Sequence, residues 1–169
     1  MPLHIIQNDI TKMEVDAIVN AANTALLGGG GVDACIHSAA GASLYEECKT
    51  LGGCEVGSAK MTGAGNLPCK YVIHAVGPRY RDGKHGEAAT LASCYSTSLR
   101  LAAEAKCQTI AFPLISCGIY GYPLKEGIQI ACDTINDFLR EHDLTVYLVI
   151  FDSKTVQFCK ERELLPKFC

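Results

Sequence analysis

An acidic and a basic side chain follow a run of four glycines near the start of the chain. Residues 28–31 are all glycine, Asp33 comes two residues later, and His37 follows one helical turn after Asp33. A carboxylate can orient or deprotonate a water molecule, and an imidazole can transfer a proton. Each also has an ordinary structural explanation, because an aspartate in a first helical turn favours the helix dipole and a helical histidine is often packed or solvated. Asp33 is therefore the leading catalytic candidate, and His37 is a candidate assistant in proton transfer.

Two glycine-containing loops are the second feature with chemical content. One is Leu27–Val32 (LGGGGV), the other is Ile115–Pro123 (ISCGIYGYP), and each lies between a predicted strand and a predicted helix. Successive glycines let backbone N–H groups turn toward a common point, where the N-terminus of the following helix adds its dipole. Such a pair could hold a diphosphate from two sides without a lysine or an arginine. The alternative explanation is that both loops are tight turns.

Other motifs of nucleotide-binding and nucleophilic enzymes fit less well. Gly29–Ala34 satisfies G-x-G-x-x-A, the pattern of a dinucleotide-binding dehydrogenase. That pattern begins directly after its strand, whereas Ala21–Leu27 intervene here, and Glu55 near the expected acidic position lies in GGCEVGS rather than at a strand end. A dehydrogenase is therefore disfavoured. The chain has no G-x-x-x-x-G-K-[ST] and no G-x-S-x-G, so a P-loop NTPase is excluded and Ser116 is not an elbow nucleophile.

The alternation of apolar segments predicts the scaffold for these loops. Short, nearly continuous apolar runs indicate strands that are covered on both faces. Six such strands are predicted at Leu3–Gln7, Asp16–Asn20, Ser58–Thr62, Tyr71–Val76, Thr109–Pro113 and Thr145–Phe151. Helical patterns cover Val32–Ala40, Ala42–Leu51, Glu87–Lys106, Leu124–Glu141 and Ser153–Leu164, the last with Ser153 as its N-cap.

This order of elements predicts a three-layer α/β/α sandwich with a central mixed, largely parallel sheet. No linker or composition shift divides the chain, so one domain is expected over residues 1–169. Ligands of such sheets bind outside the carboxyl ends of the strands. Both glycine loops fall at such ends.

Composition limits the classes of function. Hydrophobic residues make up 49% of the chain and charged residues 20%, which indicates a folded protein. The net charge of −3 and the scattered basic residues argue against nucleic acid as the main partner. No apolar run reaches the ~18 residues of a membrane span, and no signal peptide is recognisable, so we expect a cytoplasmic protein without a membrane partner.

The ten cysteines do not indicate a metal or redox site. None of them forms C-x-x-C, and no cluster of His, Cys and Asp has the spacing of metal ligands. We expect reduced thiols, metal-independent chemistry and no cofactor.

Several motifs together resemble the macro domain family, and specifically its MacroD-type branch of ADP-ribosyl hydrolases and O-acetyl-ADP-ribose deacetylases. The most specific are NAAN at 20–23, GGGGVD at 28–33 and GIYGYP at 118–123. Further similar segments, which extend the resemblance from Leu3 to about Cys159, are NDIT at 8–11, AGNLP at 64–68, YVIHAVGP at 71–78 and the aromatic Phe151 after the last strand. The resemblance implies the macro domain fold and binding of ADP-ribose.

The resemblance also implies roles for individual positions. Asp9 would accept a hydrogen bond from the adenine amino group with Ile10 beside it, and Phe151 would stack on adenine. Asn23 would hydrogen-bond the distal ribose. The diphosphate and this ribose would be lined by Gly30, Gly31, Val32, Ser116, Cys117, Gly118, Ile119 and Tyr120.

The activity of this branch provides a reaction for Asp33. Similar proteins remove ADP-ribose from modified acidic side chains and deacetylate O-acetyl-ADP-ribose. Both reactions hydrolyse an ester, which requires an activated water and a site for developing negative charge. We expect Asp33 to orient this water, with Asn23 and His37 as further catalytic candidates. Cys117 has no identifiable base beside it and is not favoured as a nucleophile.

Two departures from the family pattern and two rival functions remain at this stage. Cys117 replaces a more usual threonine, and Ser38 stands where an arginine is common. The chain could be a non-catalytic reader of ADP-ribose, although a reader needs no acid at Asp33, or a phosphatase for ADP-ribose 1″-phosphate. The expected partners are ADP-ribose, its derivatives and mono-ADP-ribosylated proteins, and the expected state is a monomer.

Overall fold

The chain alternates strands and helices in the predicted order, and the computed structural model describes residues 3–161. The strands are β1 (Leu3–Gln7), β2 (Ala17–Ala22), β3 (Ala59–Gly63), β4 (Tyr71–Val76), β5 (Thr109–Phe112) and β6 (Thr145–Ile150). The helices are α1 (Val32–Ala40), α2 (Ala42–Lys49), α3 (Glu87–Glu104), α4 (Leu124–Leu139) and α5 (Ser153–Glu161). A short 3-10 helix covers Ile10–Lys12.

The strands form one sheet in the order β1-β6-β5-β2-β4-β3. Neighbours from β1 to β4 are parallel, and only the edge strand β3 runs antiparallel to β4. The predicted mixed, largely parallel sheet is therefore confirmed. Because the parallel strands point the same way, the loops after β1, β2, β5 and β6 emerge at one edge of the sheet.

Helices cover both faces of the sheet, as the sandwich prediction requires. Alternate residues of the strands point to opposite sides, so that Val19 joins a core beneath α3, α4 and α5, and its neighbour Ile18 joins a core beneath α1 and α2. Tyr95 of α3 and Phe112 of β5 are both fully buried in the first core, with ring centroids 5.2 Å apart. The two cores fix the positions of the strand ends that carry the loops.

Element ends differ from the prediction for local reasons. The strand β2 begins after Asp16, because the Asp16 carboxylate accepts the N–H groups of Gln108 (2.7 Å) and Thr109 (3.2 Å) before β5. It then continues to Ala22, two residues beyond the predicted end at Asn20.

The prediction of Ser153 as N-cap of α5 is wrong. The cap is Asp152, whose Oδ2 accepts hydrogen bonds from Thr155 N (2.9 Å) and Thr155 Oγ1 (2.7 Å). An aspartate accepts from the second or third helical N–H as well as a serine does, and here it precedes the serine by one position. The predicted end of this helix, residues 162–164, lies outside the described residues.

Two findings concern membrane-spanning helices and cysteines. No helix within residues 3–161 combines the length and the apolar character that crossing a membrane would require. The nine cysteines of this range are free thiols, and Cys169 lies outside it.

Candidate active site

A cavity of about 460 Å³ opens at the carboxyl edge of the sheet, between the loops that follow β1, β2, β5 and β6. Twelve of the fourteen residues singled out from the sequence line it: Ile10, Asn23, Gly30, Gly31, Val32, Asp33, Ser116, Cys117, Gly118, Ile119, Tyr120 and Phe151. Asp9 and His37 are adjacent to lining residues but do not line the cavity themselves.

Asn23 shapes the first loop. Its Nδ2 donates to the carbonyl of Gly28 (3.1 Å), and its Oδ1 accepts from the N–H of Leu26 (3.2 Å). The side chain thus closes the turn that carries the glycine run. Gly31 then precedes α1 with φ 63° and ψ −136°, a conformation that residues with a Cβ rarely adopt. The first N–H groups of α1 have no helical carbonyl to reach, and this end of the helix lies at the cavity, which Gly31, Val32 and Asp33 line.

Two glycines of the run leave space at the cavity. A Cβ on Gly29 would lie 3.2 Å from both Asn23 Nδ2 and Asp33 Oδ2. A Cβ on Gly30 would lie 3.4 Å from Cδ1 of Ile119, which belongs to the second loop. The first loop thus makes room for Asp33 and approaches the second loop across the cavity, where the Ile119 side chain is 85% exposed.

Hydrogen bonds from α3 hold the beginning of the second loop. The hydroxyl of the buried Tyr95 donates to the carbonyl of Pro113 (3.4 Å) and accepts from the N–H of Ile115 (3.1 Å). The next residue, Ser116, has φ 66°, an uncommon value for a residue with a side chain. Its Oγ is buried without a hydrogen-bond partner among the described residues, and Ser116 lines the cavity.

The Cys117 thiol packs against α4. A Cβ on Gly127 of α4 would lie 2.4 Å from Cys117 Sγ, so the sulfur packs where that helix has no side chain. Burial raises the pKa of the Cys117 thiol to about 12. A protonated, packed thiol is a poor nucleophile, which agrees with the expectation drawn from the sequence.

Asp33 is the buried acid of the site. It lies in the first turn of α1, 3% exposed, and its Oδ1 accepts a hydrogen bond from Asn20 Nδ2 at 2.8 Å. Burial raises the pKa of the Asp33 carboxyl, while the hydrogen bond from Asn20 and the charge of His37 oppose this effect. The other oxygen, Oδ2, is the one beside Gly29 and the cavity. A carboxylate with a raised pKa and one uncommitted oxygen is suited to accept a proton from water.

His37 does not line the cavity, and it approaches Asp33 at the oxygen that is not beside Gly29. Its Nε2 is 3.3 Å from Asp33 Oδ1, on the same oxygen that Asn20 contacts, but it makes no hydrogen bond among the described residues. The ring is also 6.3 Å from that of His74. His37 therefore affects the Asp33 carboxylate electrostatically, and its part in proton transfer stays a prediction.

The far end of the cavity contains the residues predicted to hold adenine. Phe151 lines it directly after β6 with a 74% exposed side chain, and Gln7 Nε2 fixes its backbone by donating to the Phe151 carbonyl at 3.3 Å. Asp9 caps the 3-10 helix, because its Oδ1 accepts from Thr11 N (3.0 Å) and Thr11 Oγ1 (2.7 Å). This helix places the buried Ile10 against the cavity.

Sequence reasoning gave no role to several residues at the site. Arg79 lines the cavity from the segment after β4, with its guanidinium carbon 5.0 Å from the centroid of the Tyr120 ring. Asn20 has no role in the sequence-based prediction beyond being the first residue of the NAAN motif. The sequence signal that could have singled it out is a polar asparagine at the end of the predicted strand Asp16–Asn20.

In residues 3–161, one group of side chains has potential metal-ligand atoms close enough together to share an ion, and it lies outside the cavity. It consists of Asp82, His85 and Glu87. Both oxygens of Glu87 already accept backbone N–H groups, from Arg81, Asp82 and Gly83 on Oε2 and from His85 on Oε1. Glu87 therefore closes a loop.

Comparisons with known proteins agree with this geometry. Residues 19–131 match the model of the Macro domain family. The chain is 56% identical over 148 residues to the ADP-ribose glycohydrolase MACROD2 of Xenopus laevis, covering 86% of this chain and 35% of that one. It is 50% identical over 161 residues to an O-acetyl-ADP-ribose deacetylase of an Enterobacter species, covering 92% and 89%.

Among solved structures, a mutant of the Oceanobacillus iheyensis macrodomain with ADPR superimposes with a TM-score of 0.90 at 38% identity. The superposition covers 98% of this chain and 94% of the other. Family match, sequence identity and fold agree, and the chain belongs to the macro domain family.

Proposed function

We propose that the chain binds ADP-ribose in the cavity and hydrolyses its ester-linked derivatives with a water molecule oriented by Asp33. The derivatives are mono-ADP-ribosylated acidic side chains of proteins and O-acetyl-ADP-ribose. Relatives named as a glycohydrolase and as a deacetylase, and a solved relative with ADPR, support this class of ligand and reaction.

The observation that carries the proposal is the Asp33 carboxylate. It is buried beside the glycine loop, Oδ1 is fixed by Asn20 at 2.8 Å, and Oδ2 faces the position that a side chain at Gly29 would fill. Burial of an ionised carboxylate costs stability, and a domain that only reads ADP-ribose does not need an acid at this position.

The cavity suggests how the ligand lies. Adenine would stack on Phe151, and the second oxygen of Asp9 would accept from its amino group. The diphosphate would lie between the N–H groups at the start of α1 and those of residues 116–120. The distal ribose would then reach Asn23 and Asp33, with the ester carbonyl above the glycine run.

The reaction follows from this placement. Asp33 Oδ2 accepts a proton from water as the water oxygen bonds to the ester carbonyl carbon. The carbon–oxygen bond to the ribose then breaks, and the proton passes to the ribose oxygen. Water and ester become a carboxylic acid and ADP-ribose. Backbone N–H groups around the cavity would stabilise the negative charge that develops on the carbonyl oxygen.

The test compares Asp33→Asn with wild type on O-acetyl-ADP-ribose and on a mono-ADP-ribosylated protein. We expect kcat to fall by roughly 10²-fold or more on both substrates, with the Kd of ADP-ribose changed little. Asp133→Asn, on the exposed side of α4, is the matched control. Full activity of Asp33→Asn would refute the mechanism. No hydrolysis by the wild type would favour a reader, and release of phosphate from ADP-ribose 1″-phosphate alone would favour a phosphatase.

A further inference from the structure

A row of buried polar side chains crosses three neighbouring strands on the sheet face beneath α1 and α2. It consists of Thr62 on β3, His74 on β4 and Asn20 on β2, with exposures of 2%, 0% and 0%. Asn20 and His74 are partners in the parallel register of β2 and β4. Burying polar groups is unfavourable unless hydrogen bonds compensate, so such a row in a sheet core requires an explanation.

The hydrogen atoms in this row can be assigned from chemistry. Thr62 Oγ1 lies 2.8 Å from the carbonyl oxygen of Gly63, and since a carbonyl only accepts, the hydroxyl hydrogen lies between them. Thr62 therefore offers only a lone pair to His74 Nε2, 3.0 Å away. His74 Nε2 must carry the hydrogen. Burial, with a smaller effect of His37, lowers the pKa of His74 to about 4, so the ring is neutral and Nδ1 is an acceptor.

The tautomer of His74 determines the orientation of the Asn20 amide. Nδ2 of Asn20 lies 3.2 Å from His74 Nδ1 and 2.8 Å from Asp33 Oδ1, so its two hydrogens serve two acceptors. A flipped amide would place an oxygen against a lone pair and against a carboxylate oxygen. The observed orientation leaves Asn20 Oδ1 buried without a partner among the described residues. The row of hydrogen bonds thus keeps an N–H donor of Asn20 on Asp33, while Asn20 Oδ1 remains an unsatisfied acceptor.

The consequence reaches the cavity through Asp33. The Asn20 hydrogen bond holds Oδ1, which leaves Oδ2 directed toward Gly29 and the proposed water. It also favours the ionised carboxylate, the form that can accept a proton.

We infer that His74 and Thr62 are positioning residues of the hydrolytic site, which hold the Asn20 amide with its N–H groups toward Asp33. Neither residue lines the cavity. They act on the reaction through Asn20 and Asp33 alone. The inference rests on the proposed role of Asp33.

The test removes the acceptors that fix the tautomer. Cys48 Sγ also lies 3.6 Å from His74 Nε2, so the test variant is Thr62→Val with Cys48→Ala. The matched control is Thr62→Ser with Cys48→Ala, which keeps the hydroxyl. Valine has the shape of threonine but cannot accept, so His74 can move its hydrogen to Nδ1 and drive Asn20 to flip.

We expect the valine variant to lose about tenfold in kcat on O-acetyl-ADP-ribose relative to the serine variant. Its Kd for ADP-ribose should match that of the serine variant. Nitrogen-15 NMR of the His74 ring should show an unprotonated Nδ1 in wild type and in the serine variant, and a protonated or mixed Nδ1 in the valine variant.

Measuring Asp33→Asn in parallel separates the two proposals. If Asp33→Asn keeps full activity, the proposed function fails. If Asp33→Asn is inactive while the valine and serine variants hydrolyse equally well, the positioning role is overturned. It is also overturned if the valine variant loses ADP-ribose affinity as much as kcat, or if wild-type His74 carries its hydrogen on Nδ1.

Discussion

At the scale of single residues, Asp33 combines two opposing demands. The acid must be ionised to accept a proton from water, yet it is only 3% exposed, and burial raises its pKa. The hydrogen bond from Asn20 reduces this effect without removing it. Such conflicts between stability and chemistry are common at functional sites.

This conflict predicts that Asp33→Asn stabilises the protein at neutral pH. Below the ordinary value of 3.8 the carboxyl is protonated in both the folded and the unfolded state, and burial has no ionic cost. Between that value and the higher pKa of the folded state, the unfolded state has lost its proton while the folded state keeps it. The free energy of unfolding therefore falls as the pH rises through this window. The variant escapes this loss.

Thermal denaturation across the pH range measures the effect. We expect the Tm of Asp33→Asn to exceed that of wild type at pH 7, with a difference that shrinks as the pH falls toward 4. Asp133→Asn should show no such difference, since that side chain is exposed. A Tm advantage that grows in acid would contradict the prediction.

At the scale of elements, the second loop depends on residues that lie outside the loop itself. Tyr95 of α3 holds its first residues, and Gly127 of α4 accommodates the Cys117 side chain. Gly77, after β4, leaves room for Ser116. The loop is therefore shaped by two helices and by the segment after β4 as much as by its own glycines.

We expect Tyr95→Phe to weaken this support. The N–H of Ile115 loses its acceptor and the carbonyl of Pro113 loses its donor, and a buried unsatisfied group costs about 1–3 kcal/mol. Urea denaturation should show this decrease, and ADP-ribose should bind more weakly. Tyr45→Phe, at a 40% exposed position, serves as the control. Unchanged stability in Tyr95→Phe would show that the two hydrogen bonds contribute nothing.

Gly77→Ala tests the contact between the segment after β4 and the same loop. The added Cβ would lie 2.2 Å from Ser116 Oγ and 2.6 Å from Ile115 Cγ2, so the loop must move. Overpacking of this kind costs about 1–3 kcal/mol, and we expect that loss of stability together with weaker binding of ADP-ribose. At Gly118 a Cβ would meet nothing within 4 Å, so the stability of ligand-free Gly118→Ala should match wild type. Equal denaturation midpoints for the two variants would rule out the steric explanation.

At the scale of the whole molecule, the cavity exists only because parallel strands end together. The segments after β1, β2, β5 and β6 come from distant parts of the chain and meet at one edge. No single loop encloses a ligand, so binding should couple them.

Ligand binding is therefore expected to stabilise the entire fold. ADP-ribose at 100 times its Kd should add about 2.7 kcal/mol to the free energy of unfolding. Hydrogen exchange should slow in residues 28–33 and in residues 116–120 together. AMP, which lacks the distal ribose, should protect residues 28–33 less. Protection confined to one loop would contradict the proposed placement of the ligand.

The sequence by itself determined the order of the elements and the identity of the two glycine loops that line the cavity. Apolar runs and helical spacings are local signals, so strands such as Tyr71–Val76 and helices such as Val32–Ala40 were predicted with their observed ends. The glycine run and the motif GIYGYP identified the loops because a glycine's missing side chain is visible in the sequence. His74 lies within the apolar run Tyr71–Val76, and its side chain is fully buried.

Only the tertiary structure decided which atoms surround Asp33. The contact of Asn20 with His74 depends on the register of β2 and β4, and that of His74 with Thr62 on the pairing of β3 with β4. Asn20 and His74 are 54 residues apart in the chain, so the local sequence around either residue does not reveal their contact. Likewise, the position of Arg79 over the Tyr120 ring depends on how the segment after β4 packs against the second loop. The sequence around each of these two residues is the same whichever way the segments pack, so it does not reveal their contact.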